Sequence, residues 1–110
     1  MNPSAPVDLD AMREAAGRAR ALLKVLSNPD RMLLLCKLAE GEHNVGQLEA
    51  GLGIGQPTLS QQLGVLRDEG MVRTRRDGKQ VFYTIASPEA LAVLRTLYDL
   101  YCPTREGKPA

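Results

Sequence analysis

The sequence predicts a mainly α domain with one small β-hairpin, in the order α-α-α-α-β-β-α, and three observations carry that prediction. Leu59, Leu63 and Leu66 recur at i, i+4 and i+7, so the stretch from Gln56 to Arg67 reads as a helix with one apolar stripe. Before it lies a shorter helical pattern, Asn44 to Leu52, followed by Gly53-Ile54-Gly55, which suits a tight turn. After it, Val- and Thr-rich segments flank Asp77-Gly78, a strong hairpin dipeptide. A short helix, a glycine turn, a longer helix and a basic hairpin make up a winged helix-turn-helix, with five helices in all.

In chain order, residues 1–7 contain Pro3 and Pro6 and read as a flexible tail, ahead of one domain over residues 8–102. The first helix starts at Leu9, with Leu9, Met12, Ala16, Ala19, Leu23 and Leu26 on one stripe, and Asp8 or Asp10 favours its N-terminus. Ala15 and Leu22 widen the stripe, as in a helix packed on two partners, one of them a second subunit. Ser27-Asn28-Pro29 breaks this helix and caps the next, expected over Pro29–Ala39. Met32-Leu33-Leu34-Leu35-Cys36 makes the second helix apolar all round and hence buried. Glu40-Gly41-Glu42-His43 closes it, and His43, the single histidine, reads as a solvated loop residue.

Asn44 and Gln47 are spaced as a capping box for the third helix. Pro57 suits the first position of the fourth helix and Gly70 its C-terminal stop. Ser87-Pro88 opens the last helix, Pro88–Tyr101, which is apolar on two sides: Leu91, Leu94, Tyr98 and Tyr101, then Val93, Leu97 and Leu100. With the first helix it forms the expected homodimer interface, assigned to Leu22, Leu94, Tyr98 and Tyr101. Residues 103–110 read as a polar tail.

At 110 residues and 12.0 kDa the chain is one domain, and with 4% aromatics and no Trp its core must be mainly aliphatic. A core of that size is marginal alone, and oligomerisation is one remedy. The net charge of +1 is uninformative, but its distribution is not. Residues 71–83 carry four basic groups and one acid, whereas residues 1–53 carry six basic and seven acidic. A local positive field is the footprint of a DNA-binding surface. No apolar run approaches the ~20 residues of a membrane span and no signal peptide is recognisable, so no membrane partner and a cytoplasmic location are expected.

The fourth helix carries Pro57, Ser60, Gln61, Gly64 and Asp68 on its polar face, with Thr58, Gln62 and Arg67 on the flanks. A merely solvated face usually interleaves Glu and Lys. Amides and hydroxyls instead are the groups that bond base edges and phosphates in a major groove. Gln56, Thr58, Ser60, Gln61, Gln62 and Arg67 are therefore the candidate contacts to double-stranded operator DNA. Arg73, Arg75, Arg76 and Lys79 on the hairpin would hold the DNA backbone or minor groove. A winged helix used only for protein contacts would not need those four cations together.

At this point a resemblance is specific. Residues 22–85 resemble the winged helix of the ArsR (ArsR/SmtB) family of bacterial transcriptional repressors. It rests on Leu26-Ser27-Asn28-Pro29-Asp30-Arg31, Val45-Gly46-Gln47-Leu48, Gln56-Pro57-Thr58-Leu59-Ser60-Gln61-Gln62-Leu63 and Leu66-Arg67-Asp68-Glu69-Gly70-Met71-Val72. The stretch from Gly53 to Arg67, with one cysteine on either side, is most similar to the BigR/SqrR branch, which senses sulfide-derived persulfides through two cysteines. The resemblance implies a homodimer, a persulfide or polysulfide inducer, target genes of sulfide detoxification, and a sensor dithiol formed by Cys36 and Cys102.

Taken alone, Cys36 in its leucine run reads as a small core hydrophobe and Cys102 as a half-exposed helix-end thiol. Two places where family members hold metals lack their ligands. Asn44-Val45-Gly46-Gln47-Leu48 has no thiol, and the last helix has Glu89 and Asp99 but no histidine. No metal or other cofactor is expected, and a peroxide-responsive repressor or one with a metal at a non-standard site stays as the alternative. No enzyme is expected either, because Cys-x-x-Cys, Walker and GxGxxG motifs are absent and no catalytic Cys–His pair is close in sequence.

Overall fold

The computed structural model describes residues 8–102, so both expected tails lie outside the described residues. α1 (Leu9–Leu26) begins where the Asp8 carboxylate accepts a hydrogen bond from the Asp10 N–H at 3.0 Å. α2 (Pro29–Leu38) begins where Asn28 accepts from the Arg31 N–H at 3.0 Å, with Pro29 in its first turn. It ends at Leu38, with Ala39 as its C-cap rather than its last residue. α3 (Val45–Leu52) carries the expected capping box. Asn44 Oδ1 accepts from the Gln47 N–H and Gln47 Oε1 from the Asn44 N–H, both at 2.8 Å.

α4 (Thr58–Asp68) starts one residue later than expected, with Pro57 at the N-cap position. Gly70 terminates it as predicted. At φ +72° its N–H reaches Arg67 O at 3.1 Å, and the Met71 N–H reaches Leu66 O at 2.8 Å. Those two bonds form a Schellman motif and satisfy carbonyls the helix leaves open. α5 (Pro88–Tyr101) is capped by Ser87, whose hydroxyl accepts from the Ala90 N–H at 3.0 Å.

The wing is β2 (Val72–Asp77) paired antiparallel with β3 (Gln80–Ile85). Asp77 pairs with Gln80, so the two turn residues are Gly78-Lys79, one position later than the dipeptide read from sequence. Gly78 has φ +63°, the left-handed conformation that the first position of such a turn demands. A third strand, β1 (His43–Asn44), was not expected; it pairs with Tyr83 and Phe82, giving sheet order β1-β3-β2. Two residues carry no alternation pattern, which is why the sequence hides it.

The core joins α2, α3 and α4, with Leu34, Leu35, Leu48, Leu59 and Leu66 under 2% exposed. Val25 and Leu26 of α1, Val72 of β2 and Leu94 of α5 close it. Two expectations about burial are corrected. Leu33 is 47% exposed, so α2 is not buried all round. Only the last turn of α1 enters the core: Leu9 and Leu23, on its predicted stripe, are 56% and 59% exposed in the single chain.

Candidate nucleic-acid interface and thiol pair

α4 sits on the core through Leu59, Leu63 and Leu66, which fixes its opposite face outward. Gln61 and, on the flank, Arg67 are exposed, their side chains without a hydrogen-bond partner among the described residues, and Thr58 is half-buried. Gln56 and Ser60 are engaged with each other. Gln56 Oε1 accepts from the Ser60 N–H at 3.2 Å and from the Ser60 hydroxyl at 2.6 Å. Because Pro57 offers no side-chain cap, this pair takes up an orphan donor of the first turn. Gln62 is half-buried, and its Oε1 accepts from Arg31 Nη1 at 3.1 Å.

On the wing, strand alternation places Arg73, Arg75 and Asp77 on one side of β2 and Thr74 and Arg76 on the other. Arg73, Arg76 and Lys79 are exposed and make no ion pair among the described residues. Arg75 departs from the expectation of a free cation. Its Nε donates to Glu42 Oε2 at 3.0 Å and its Nη2 to Glu42 Oε1 at 2.7 Å, while the guanidinium lies 4.7 Å over the Phe82 ring. The Arg75 hydrogen bond holds the Glu42 carboxyl below the usual carboxylate range. The sequence count of one acid on the hairpin missed Glu42 because it arrives from the loop before β1, 33 residues away.

Both cysteines are reduced and half-buried. Cys36 projects from α2, and Cys102 caps the C-terminus of α5, its N–H donating to Tyr98 O at 2.9 Å. Burial pushes the Cys36 thiol up, and negative charge on Cys102 and on Glu40 pushes it further. The two elements that carry these thiols, α2 and α5, pack against each other. Beside Cys36 opens a cleft of about 300 Å³ lined by Ala39, Glu40, Leu91, Leu94, Arg95 and Tyr98. Among the described residues no cluster of three or more His, Cys, Asp or Glu side chains could hold a metal. No described helix is long and apolar enough to cross a membrane.

Of the residues assigned to a dimer face, Tyr98 and Tyr101 are 55% and 77% exposed and Leu22 is half-buried. Leu94 is 4% exposed and belongs to the protomer's own core, which corrects its assignment: it has almost no surface left for a second chain. Leu100 at 62% and Met12 at 39% extend the exposed apolar surface of α5 and α1.

A polar, outward-facing helix set beside a cationic wing defines a DNA-binding transcriptional regulator rather than an enzyme. Comparison with known proteins narrows this class. Residues 28–74 match the family described as bacterial regulatory protein, arsR family. The chain is 50% identical over 101 residues to the biofilm growth-associated repressor of Agrobacterium fabrum, covering 92% of this chain and 86% of that protein. The crystal structure of the transcriptional repressor BigR from Xylella fastidiosa superposes with a TM-score of 0.82 at 48% identity, over 89% of this chain and 100% of that one. Reduced HlyU from Vibrio cholerae superposes with a TM-score of 0.80 at 40% identity, over 86% and 99%. This protein belongs to the ArsR family, as a winged-helix transcriptional repressor similar to BigR.

Proposed function

We propose that the protein acts in the cytoplasm as a homodimer on a pseudo-palindromic operator, and that persulfide oxidation of Cys36 and Cys102 releases it. The two α4 helices would enter successive major grooves about 34 Å apart. Gln61, Thr58 and Arg67 would face the groove, and Arg73, Arg76 and Lys79 the phosphates.

The observation that supports the switch is the placement of two free, half-buried thiols on elements that pack together, Cys36 on α2 and Cys102 at the end of α5. The chemistry balances with persulfide as the sole oxidant. One cysteine thiolate takes a sulfane sulfur from RSSH and releases RSH; a second RSSH extends it to Cys–S–S–SH with release of a second RSH. The other thiolate then attacks the middle sulfur and expels hydrosulfide, leaving a trisulfide between Cys36 and Cys102. A simple disulfide requires Cα atoms within about 4.4–6.8 Å, and each inserted sulfur lengthens the bridge by up to about 2 Å. Peroxide adds no sulfur, so it closes the shorter bridge or stops at a sulfenic acid.

Intact mass and operator binding of wild type, Cys36→Ser and Cys102→Ser test this. Wild type is expected to gain sulfur, lose both free thiols and release DNA on persulfide treatment, while each single variant retains DNA. Release by persulfide in both single variants would overturn the dithiol mechanism. An equal response of wild type to peroxide, with no added sulfur, would reassign the oxidant.

A further inference from the structure

Arg31 divides its guanidinium among three acceptors on two elements, α1 and α4. Nε donates to Val25 O at 2.8 Å and Nη2 to Lys24 O at 3.1 Å, both in the last turn of α1. Nη1 donates to Gln62 Oε1 at 3.1 Å, on the flank of α4. A cation over the terminal carbonyls of α1 is favourable there, and the planar fork can serve two directions at once.

The bond to Gln62 fixes which end of that amide faces out. A guanidinium has only donors, so the atom beside it must be the carbonyl oxygen, and no turned-over amide would satisfy it. Gln62 Nε2 has no partner among the described residues, where no buried side-chain nitrogen or oxygen lacks one, so Nε2 is open to solvent. Gln62 consequently turns the donor end of its amide outward from α4, its oxygen already accepting from Arg31.

We infer that Arg31 is a positioning residue that holds the Gln62 amide with its Nε2 donors outward, toward a hydrogen-bond acceptor on DNA. A phosphate oxygen or the O6/N7 edge of guanine fits. The bidentate pairing of glutamine with adenine fits less well, because the amide oxygen it needs already accepts from Arg31 and has one lone pair left. This rests on DNA binding by α4 and is independent of thiol oxidation, so all measurements use the reduced protein.

The experiment is a double-variant cycle on full-length protein with Arg31→Lys, Gln62→Met and both together. Lysine keeps the charge near the α1 carbonyls but cannot fork to Gln62. Affinity is measured for the duplex that wild type selects from a random pool and for a random duplex, with thermal melting alongside. Gln62→Met is expected to melt near wild type and to bind the selected duplex about tenfold more weakly, as loss of one well-placed hydrogen bond predicts. Arg31→Lys is expected to weaken binding similarly, and the double variant no further, because the two residues make one contact. A loss by Gln62→Met shared by the random duplex identifies a phosphate as the acceptor; a loss confined to the selected duplex identifies a base edge. Wild-type affinity in Gln62→Met, or losses that multiply in the double variant, would overturn the inference.

Discussion

Replacing Tyr98 by glutamate puts a carboxylate on the face we assign to the second protomer. Tyr98 on α5 is 55% exposed in the single chain, and Leu23 on α1 is 59% exposed. Full burial of a large apolar side chain is worth about 1.5–3 kcal/mol, so the half left open offers a partner about 1 kcal/mol. In a two-fold dimer each substitution acts twice, which raises the loss to about 2 kcal/mol per dimer. That alone weakens association roughly thirtyfold, before the cost of desolvating two carboxylates is added. Sedimentation velocity over a concentration series reads the result, with melting curves to confirm that the protomer stays folded. Leu94→Glu is the contrasting case: it buries an unpaired charge in the protomer core and is expected to abolish cooperative melting. If Tyr98→Glu and Leu23→Glu both remain dimeric at the lowest concentration where wild type does, α1 and α5 are not the interface.

Three further outcomes are expected. Arg76→Ala should weaken binding to operator and random duplex alike and flatten the salt dependence, whereas Arg75→Ala should do so less, since Arg75 is already held by Glu42; equal losses in a salt titration would show that the pair opens on DNA. The Glu42–Arg75 pair should steady the wing above pH 4.5 and be lost as pH falls through the lowered Glu42 value, because a carboxyl lowered in the fold must take up its proton there; protection of the β2 and β3 amides, corrected for intrinsic exchange, that falls on acidification no more than in Glu42→Gln would contradict this. Alkylation of Cys36 in Cys102→Ser should trail that of the denatured chain at neutral pH and keep rising above pH 9.0, where the denatured chain levels off, because burial keeps the folded thiol protonated; matching pH profiles would refute it.

What the sequence revealed was whatever is local. The capping box at Asn44 and Gln47, the glycine stop at Gly70 and the leucine stripe of α4 are each set by neighbours within one or two turns, and each was legible. Distant pairings were not. Arg75 meets an acid 33 residues away, and Gln62 meets a guanidinium 31 residues away, so two of the assigned DNA contacts proved to have partners distant in the chain. The apolar pattern of α5 gave no way to tell which side faces the protomer core, and Leu94 was assigned to the wrong one. A usable signal did exist for Arg31, which is the one cation in the first two turns of an otherwise leucine-rich helix.

A switch at the α2–α5 contact would not have to move α4 far to matter. Cys36 lies five residues beyond Arg31 on the same continuous helix, about 7.5 Å along its axis, so a displacement imposed at the sulfur is carried to the guanidinium. Leu34 and Leu35 between them have no exposed surface, and interiors packed at that density pass small shifts on rather than absorb them. The Arg31–Gln62 bond stands at 3.1 Å, and an increase of about 0.5 Å takes it beyond a real hydrogen bond. Once it is lost, the Gln62 amide is free to rotate and the donor set presented by α4 is no longer defined. On our reading of both sites, oxidation could lower operator affinity through one side chain's loss of order, without a large rotation of either protomer.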